Sequence, residues 1–135
     1  MALRYLLDTN IVIYIRERNP ARTHARFAAE RLDDMAISTI TYGELDYRVR
    51  RSTNPARALA VMTALLQVLQ VLPLKPEVGE AYGELRASLG SAGQIIGPND
   101  LWTAAHALTE NLILVTNNER EFKRVKGLKV ENWAR

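Results

Sequence analysis

Three apolar residues, Tyr5-Leu6-Leu7, stop abruptly at Asp8-Thr9-Asn10, and a second apolar run, Ile11 to Ile15, follows at once. A run that short reads as a buried strand, and the polar break after it as the exit into a helix. Strands of this kind belong to parallel sheets covered by helices on both faces. In open parallel sheets chemistry collects outside the carboxyl ends of the strands. Asp8 falls at such an end.

The rest of the chain alternates in the same way. Ile11 to Arg16 reads as a short helix ending near Arg18. Asn19-Pro20 reads as a cap and first turn for a helix that runs to about Leu32. Met35 to Ser38 is a second strand, and Thr39 to Arg51 carries helical spacing. Asn54-Pro55 starts a helix to about Leu69 that is apolar on most sides. Such a helix is either buried or covered by another subunit. Val71 to Leu74 is a third strand, which Pro73 holds to a sheet edge. Pro76 opens a helix that Gly90 to Gly93 breaks, and Asn99 reads as the cap of the next. Leu112 to Thr116 is the clearest strand, a short helix lies within 117–122, and Leu128 to Val130 forms the last strand. The fold class is α/β, a central parallel sheet flanked by helices, in one domain spanning 1–135.

Composition narrows the function classes. The chain of 135 residues contains no cysteine, which excludes disulfides and thiolate zinc sites and favours the cytoplasm. No apolar run approaches a membrane span. A net charge of +3 and a pI near 9.4 suit a polyanionic partner such as nucleic acid.

Three acids then stand out. Taken singly, each has a local explanation. Asp8 caps the helix after its strand. Glu44 completes Thr41-Tyr42-Gly43-Glu44, a capping-box pattern. Asp100 sits in a first helical turn, where the helix dipole favours negative charge. Taken together, all three lie at a strand exit or in a helix's first turn, places that face one rim of a parallel sheet. Two unit charges about 4 Å apart repel by ~4 kcal/mol at an effective dielectric near 20. Converging carboxylates therefore keep protons or share a cation. Hard oxygen ligands suit Mg²⁺ or Mn²⁺, which can activate a water and stabilise a leaving oxygen at a phosphodiester. Thr9, Asn10 and Thr116 are available for hydroxyl and amide contacts around the acids, or serve only as turn residues.

Four stretches in order, LLDTN at 6–10, STITYGEL at 38–45, IGPNDLWTAAHAL at 96–108 and LVTNNEREFKRVKGLKVENW at 114–133, make the chain resemble the PIN-domain ribonucleases. Within them it looks most like the VapC toxins of bacterial toxin–antitoxin pairs. The resemblance implies a PIN-like parallel sheet with an acidic pocket for Mg²⁺ or Mn²⁺, in which Asp8, Glu44 and Asp100 match the first three acids. It implies endonucleolytic cleavage of RNA by water, a VapB-type antitoxin and a homodimer. The TNN, REF and ENW segments look like the subgroup that cuts initiator tRNA in its anticodon stem-loop. One departure concerns the fourth acid of many PIN domains, whose place falls here to Asn118. Glu121 lies close enough in sequence to substitute, directly or through water, and the change implies one tightly held ion, with another recruited only alongside RNA phosphate.

Rival readings remain at this level. Asp8 as the nucleophile of a Rossmann-like phosphatase would want an acid two residues on, where the chain has Asn10. A non-catalytic PIN-like module that binds RNA or protein is the other. His24 and His106 read as packing or surface residues rather than general bases. Arg48, Arg50, Arg51 and Arg57, and separately Arg120, Lys123, Arg124 and Lys126, read either as solvated faces or as phosphate contacts. Trp102 reads as core packing or as a stacking surface for a base or antitoxin side chain.

Overall fold

In the computed structural model, which describes residues 3–135, five strands form one parallel sheet in the order β3-β2-β1-β4-β5. They are β1 (Tyr5–Leu7), β2 (Met35–Ser38), β3 (Gln70–Leu72), β4 (Ile113–Val115) and β5 (Val130–Glu131). The central strand pairs Leu6 with Ala36 on one side and with Leu114 on the other. The period-two rule then divides the core. Tyr5, Leu7, Met35, Ile37 and Val115 point into one buried layer. Leu6, Ala36, Leu72 and Leu114 point into the other.

Seven helices cover the two faces: α1 (Thr9–Glu17), α2 (Ala21–Ala29), α3 (Thr39–Arg50), α4 (Pro55–Leu66), α5 (Pro76–Ser91), α6 (Pro98–Glu110) and α7 (Glu119–Phe122). The first face is closed by α1, α3 and α4, through Ile11, Leu45, Val49 and Met62. The second is closed by α5, α6 and α7, through Leu89, Leu101, Ala104 and Phe122. Trp102 is part of this packing, with its indole stacked on Tyr82 of α5 at 3.9 Å between ring centroids.

Several helix boundaries differ from the sequence reading, for identifiable reasons. Asp8 itself caps α1, so the helix begins at Thr9. Asn19 does not cap α2; Pro20 holds the cap position with no side-chain bond. The same helix ends at Ala29, because Glu30 turns extended while its carboxylate accepts from Arg26, and a 3₁₀ turn spans Leu32–Asp34. Ser38 caps α3 by accepting from the Ile40 N–H at 3.1 Å. Thr41 therefore lies a turn inside the helix, and no capping box forms. Asn54 caps α4 as expected, accepting from the Arg57 N–H. That helix stops at Leu66, and only Met62 of it is buried. Its apolar outer side is open, with Leu59 52% exposed. Gly97, not Asn99, holds the cap position of α6.

The two faces are tied together at one buried polar contact. His106 of α6 is buried, and its Nδ1 lies 2.7 Å from Ser38 Oγ, the same atom that caps α3. Burial lowers the His106 pKa, so the ring is neutral. Among the described residues its Nε2 has no partner, so Ser38 is the ring's one anchor there. Ser38→Ala removes a helix cap and leaves the imidazole without any hydrogen bond. Urea unfolding should show a loss of about 2 kcal/mol; an unchanged midpoint would contradict this account of the contact.

Candidate active site

Four acids meet at the carboxyl edge of the sheet, each delivered by a different element. Asp8 ends β1, Glu44 lies one turn into α3, Asp100 is in the first turn of α6, and Glu121 is on α7. The first three line one cleft of about 680 Å³.

Asp8 is the most deeply set, 8% exposed. One carboxylate oxygen accepts from the Thr9 N–H at 2.9 Å and the other from the Thr116 hydroxyl at 2.9 Å. Thr116 is fully buried and in turn accepts from the Asn118 N–H at 3.0 Å. These bonds favour the charged form, yet burial outweighs them, and with the nearby Glu44 charge it lifts the Asp8 pKa.

Glu44 is held from two sides. The Thr9 hydroxyl donates to one oxygen, and the Asn99 side-chain amide donates to the other at 3.2 Å. Asn99 was missed as a site residue because asparagine before a helical run reads as a cap. Its position next to Asp100 was the available signal. In the fold it sits inside the helix, with its amide free to reach across to α3.

Asp100 is the most perturbed group. Its pKa is raised to about 7, first by burial, then by a hydrogen bond shared with Glu121 and by the charges of Asp8, Glu121 and Glu44. Asn118 donates to Glu121 at 2.8 Å. The residue at the expected fourth-acid position therefore orients a carboxylate, and Glu121 is the group beside Asp100. Asn10 lines the cleft but turns its amide to Asn117 at 3.4 Å. It touches none of the four acids.

The donor set is entirely hard oxygen, with neither imidazole nor thiolate among the groups described. Among the described residues no three of these side chains stand close enough together to hold a metal ion as they are placed. An open set of carboxylates that retains water suits Mg²⁺ better than it would a fully enclosed ion. A cation would offset both the burial and the neighbouring charges that raise Asp100.

The remaining candidates separate cleanly. His106 packs in the core, away from the acids. Arg48 and Arg51 line the cleft, whereas Arg50 points outward and pairs with Asp46 at 2.6 Å. Of the second basic stretch, Arg124 and Lys126 border a different cavity, beside α5. No helix among the described residues is long and apolar enough to cross a membrane.

Comparison with known proteins gives one answer. Residues 5–128 match the PIN domain. Ribonuclease VapC2 of Haemophilus influenzae is 44% identical over 98% of this chain and 99% of its own length. The tRNA(fMet)-specific endonuclease VapC of Shigella flexneri is 39% identical over the same shares. The crystal structure of DNA-bound VapBC from Salmonella typhimurium superposes with a TM-score of 0.91, at 37% identity, over 97% of this chain and 98% of that one. The chain belongs to the PIN-domain family and, within it, to the VapC ribonuclease toxins of toxin–antitoxin pairs.

Proposed function

We propose that this ribonuclease is Mg²⁺- or Mn²⁺-dependent and cuts initiator tRNA in its anticodon stem-loop. The observation that supports the metal is the gathering of Asp8, Glu44 and Glu121 around Asp100, which burial first and then these neighbours lift to about 7. Asp8, Glu44 and Asp100 would hold the ion, with Glu121 as a fourth carboxyl group beside Asp100. When bound, a divalent ion polarises the phosphate, lowers the pKa of water and steadies the leaving oxygen. The chain's own residues do the rest. Thr116 and the Thr9 N–H fix both oxygens of Asp8. The Thr9 hydroxyl and Asn99 fix both oxygens of Glu44. Asp100, raised to about 7 and set beside Glu121, is placed to give a proton to the departing alkoxide or to take one from an attacking water.

The tRNA substrate is supported by the Shigella relative, named for tRNA(fMet). A VapB-type antitoxin partner is supported by the likeness to the VapBC structure from Salmonella. The homodimer rests on the open apolar side of α4, where Leu59 stands exposed. The cytoplasm, where tRNA resides, is the place of action.

Asp8→Ala and Asp100→Ala should each lower cleavage of initiator tRNA by more than about 100-fold, beyond the usual loss for a mere orienting partner. Their circular dichroism should stay native. A pure Asp100→Ala protein that cuts at the wild-type rate would refute the mechanism. Asn99→Ala, which frees one side of Glu44, should cost about 10–100-fold, read as the rate at saturating Mg²⁺.

Crowding also sets a pH dependence. A carboxyl group whose pKa is raised in the folded state stabilises the fold most below its unfolded value near 4. That contribution is lost as pH rises through about 7. In chelator at pH 8, Asp100→Asn should therefore melt higher than the wild type. The gain is of order 1 kcal/mol once solvent screening of this partly buried group is allowed for, and it should vanish toward pH 4. Added Mg²⁺ or Mn²⁺ at pH 8 should raise the wild-type melting temperature and leave Asp100→Asn nearly unmoved. A variant that melts lower than the wild type at pH 8 would mean that the acids do not repel one another as described.

A further inference from the structure

A second groove, also of about 680 Å³, opens at the turn between α3 and α4. Four arginines line it: Arg16 from α1, Arg48 and Arg51 from the end of α3, and Arg57 from the start of α4. No acid lines it, and Val49, Ala58 and Val61 supply the apolar part of its wall. Among the described residues Arg48, Arg51 and Arg57 form no ion pair, and Arg16 meets only its neighbour Glu17, at 3.7 Å. Four guanidinium groups held together without carboxylates repel one another unless an anion lies among them. Arg48 and Arg51 also line the acidic cleft, so the two depressions adjoin.

Tyr47 stands beside that junction. It lines the acidic cleft, is 62% exposed, and carries the Arg51 guanidinium over its ring at 5.4 Å from the centroid. A large exposed aromatic next to unpaired arginines is the combination that receives an unstacked base beside its phosphates.

We infer that the arginine groove holds the phosphates of a single-stranded RNA segment as it leaves the acidic cleft, with one base stacked on Tyr47. This rests on the ribonuclease reading and adds the strand's path and its single-stranded state. A peptide with acidic side chains could neutralise the arginines but would bring no planar base to the exposed ring of Tyr47. An RNA strand brings both, with phosphates toward the arginines, a base on Tyr47 and, once a cation neutralises the acids, the scissile phosphate beside them. The base on Tyr47 must be unpaired, which excludes a duplex and selects a loop or an unfolded end.

The test is metal-free binding of a labelled single-stranded oligouridylate to the whole protein in chelator, followed by fluorescence anisotropy across a salt series. Arg51→Gln/Arg57→Gln should weaken binding about tenfold near 0.1 M salt and lower the slope of log K against log salt by about 1.4, at ~0.7 per lost phosphate contact on a single strand. Arg50→Gln removes an equal charge a few residues away, outside the groove, and should change neither. Tyr47→Ala should weaken binding about tenfold, Tyr47→Phe should not, and an RNA duplex of the same length should compete poorly. The inference is overturned if Arg51→Gln/Arg57→Gln binds with wild-type affinity and slope, or weakens no more than Arg50→Gln does. It is equally overturned if that variant keeps its RNA binding while losing capture of the purified cognate antitoxin, since the groove would then belong to the protein partner. Because no cleavage is read, these outcomes stand apart from failure of the nuclease mechanism, which the Asp100→Ala rate alone decides.

Discussion

Taking a carboxylate out of water costs several kcal/mol unless hydrogen bonds replace its hydration. Asp8 is in that position at the end of the central strand, and the surrounding structure is arranged to keep it there. Its two donors come from opposite ends of the chain, the backbone of Thr9 and the hydroxyl of Thr116. Each donor depends on a strand pairing, because Thr116 follows β4, whose register against β1 sets its height. The sheet order places β1 in the middle, with β2 on one side and β4 on the other. The crossovers diverge there, and a crevice opens where α3 and α6 begin. Glu44 and Asp100 then arrive on helices that start at that rim.

The contact between His106 and Ser38 fixes how those two helices meet. Ser38 ends β2 and caps α3, the helix of Glu44 and Thr41. His106 lies on α6, the helix of Asp100 and Asn99. One buried hydrogen bond at 2.7 Å therefore couples the supports of two acids that never touch each other. The burial and mutual repulsion of the acids oppose folding at neutral pH, and packing offsets them, chiefly in the layers around Leu6 and Leu7. Such an arrangement is typical of sites where function is maintained against stability.

Much of this was legible in the sequence, and the parts that were not share a cause. The runs at Tyr5, Met35 and Leu112 announced the strands because residues buried on both faces leave an uninterrupted apolar signal. Asp8 and Asp100 were legible for a related reason, since strand exits and first helical turns have local signatures. Glu44 was found as an acid but paired with the wrong local explanation. The capping-box spacing at Thr41 is real, yet Ser38, three residues earlier, is the cap. Asn99 was misread in the same direction, as a cap rather than as a donor to Glu44. Local chemistry offers asparagine a turn, and only the tertiary approach of α3 to α6 offers it a carboxylate. Arg16 was never grouped with Arg48, Arg51 and Arg57, since it comes from a helix 32 residues earlier. Arg50 was grouped with them and drops out, because helical rotation carries it to Asp46.

The bond from Thr116 to Asp8 spans 108 positions of sequence. No segment shorter than nearly the whole chain can complete the pocket. During synthesis β1 emerges first and must wait, flanked on one side only, until β4 clears the ribosome and slots in beside it. A nascent chain, or one truncated before Thr116, thus carries three of the four acids yet lacks the hydroxyl that seats Asp8. The seat of Asp8 is complete only once Thr116 has joined the sheet beside it, so gathering the acids and fixing their geometry are separate events in folding.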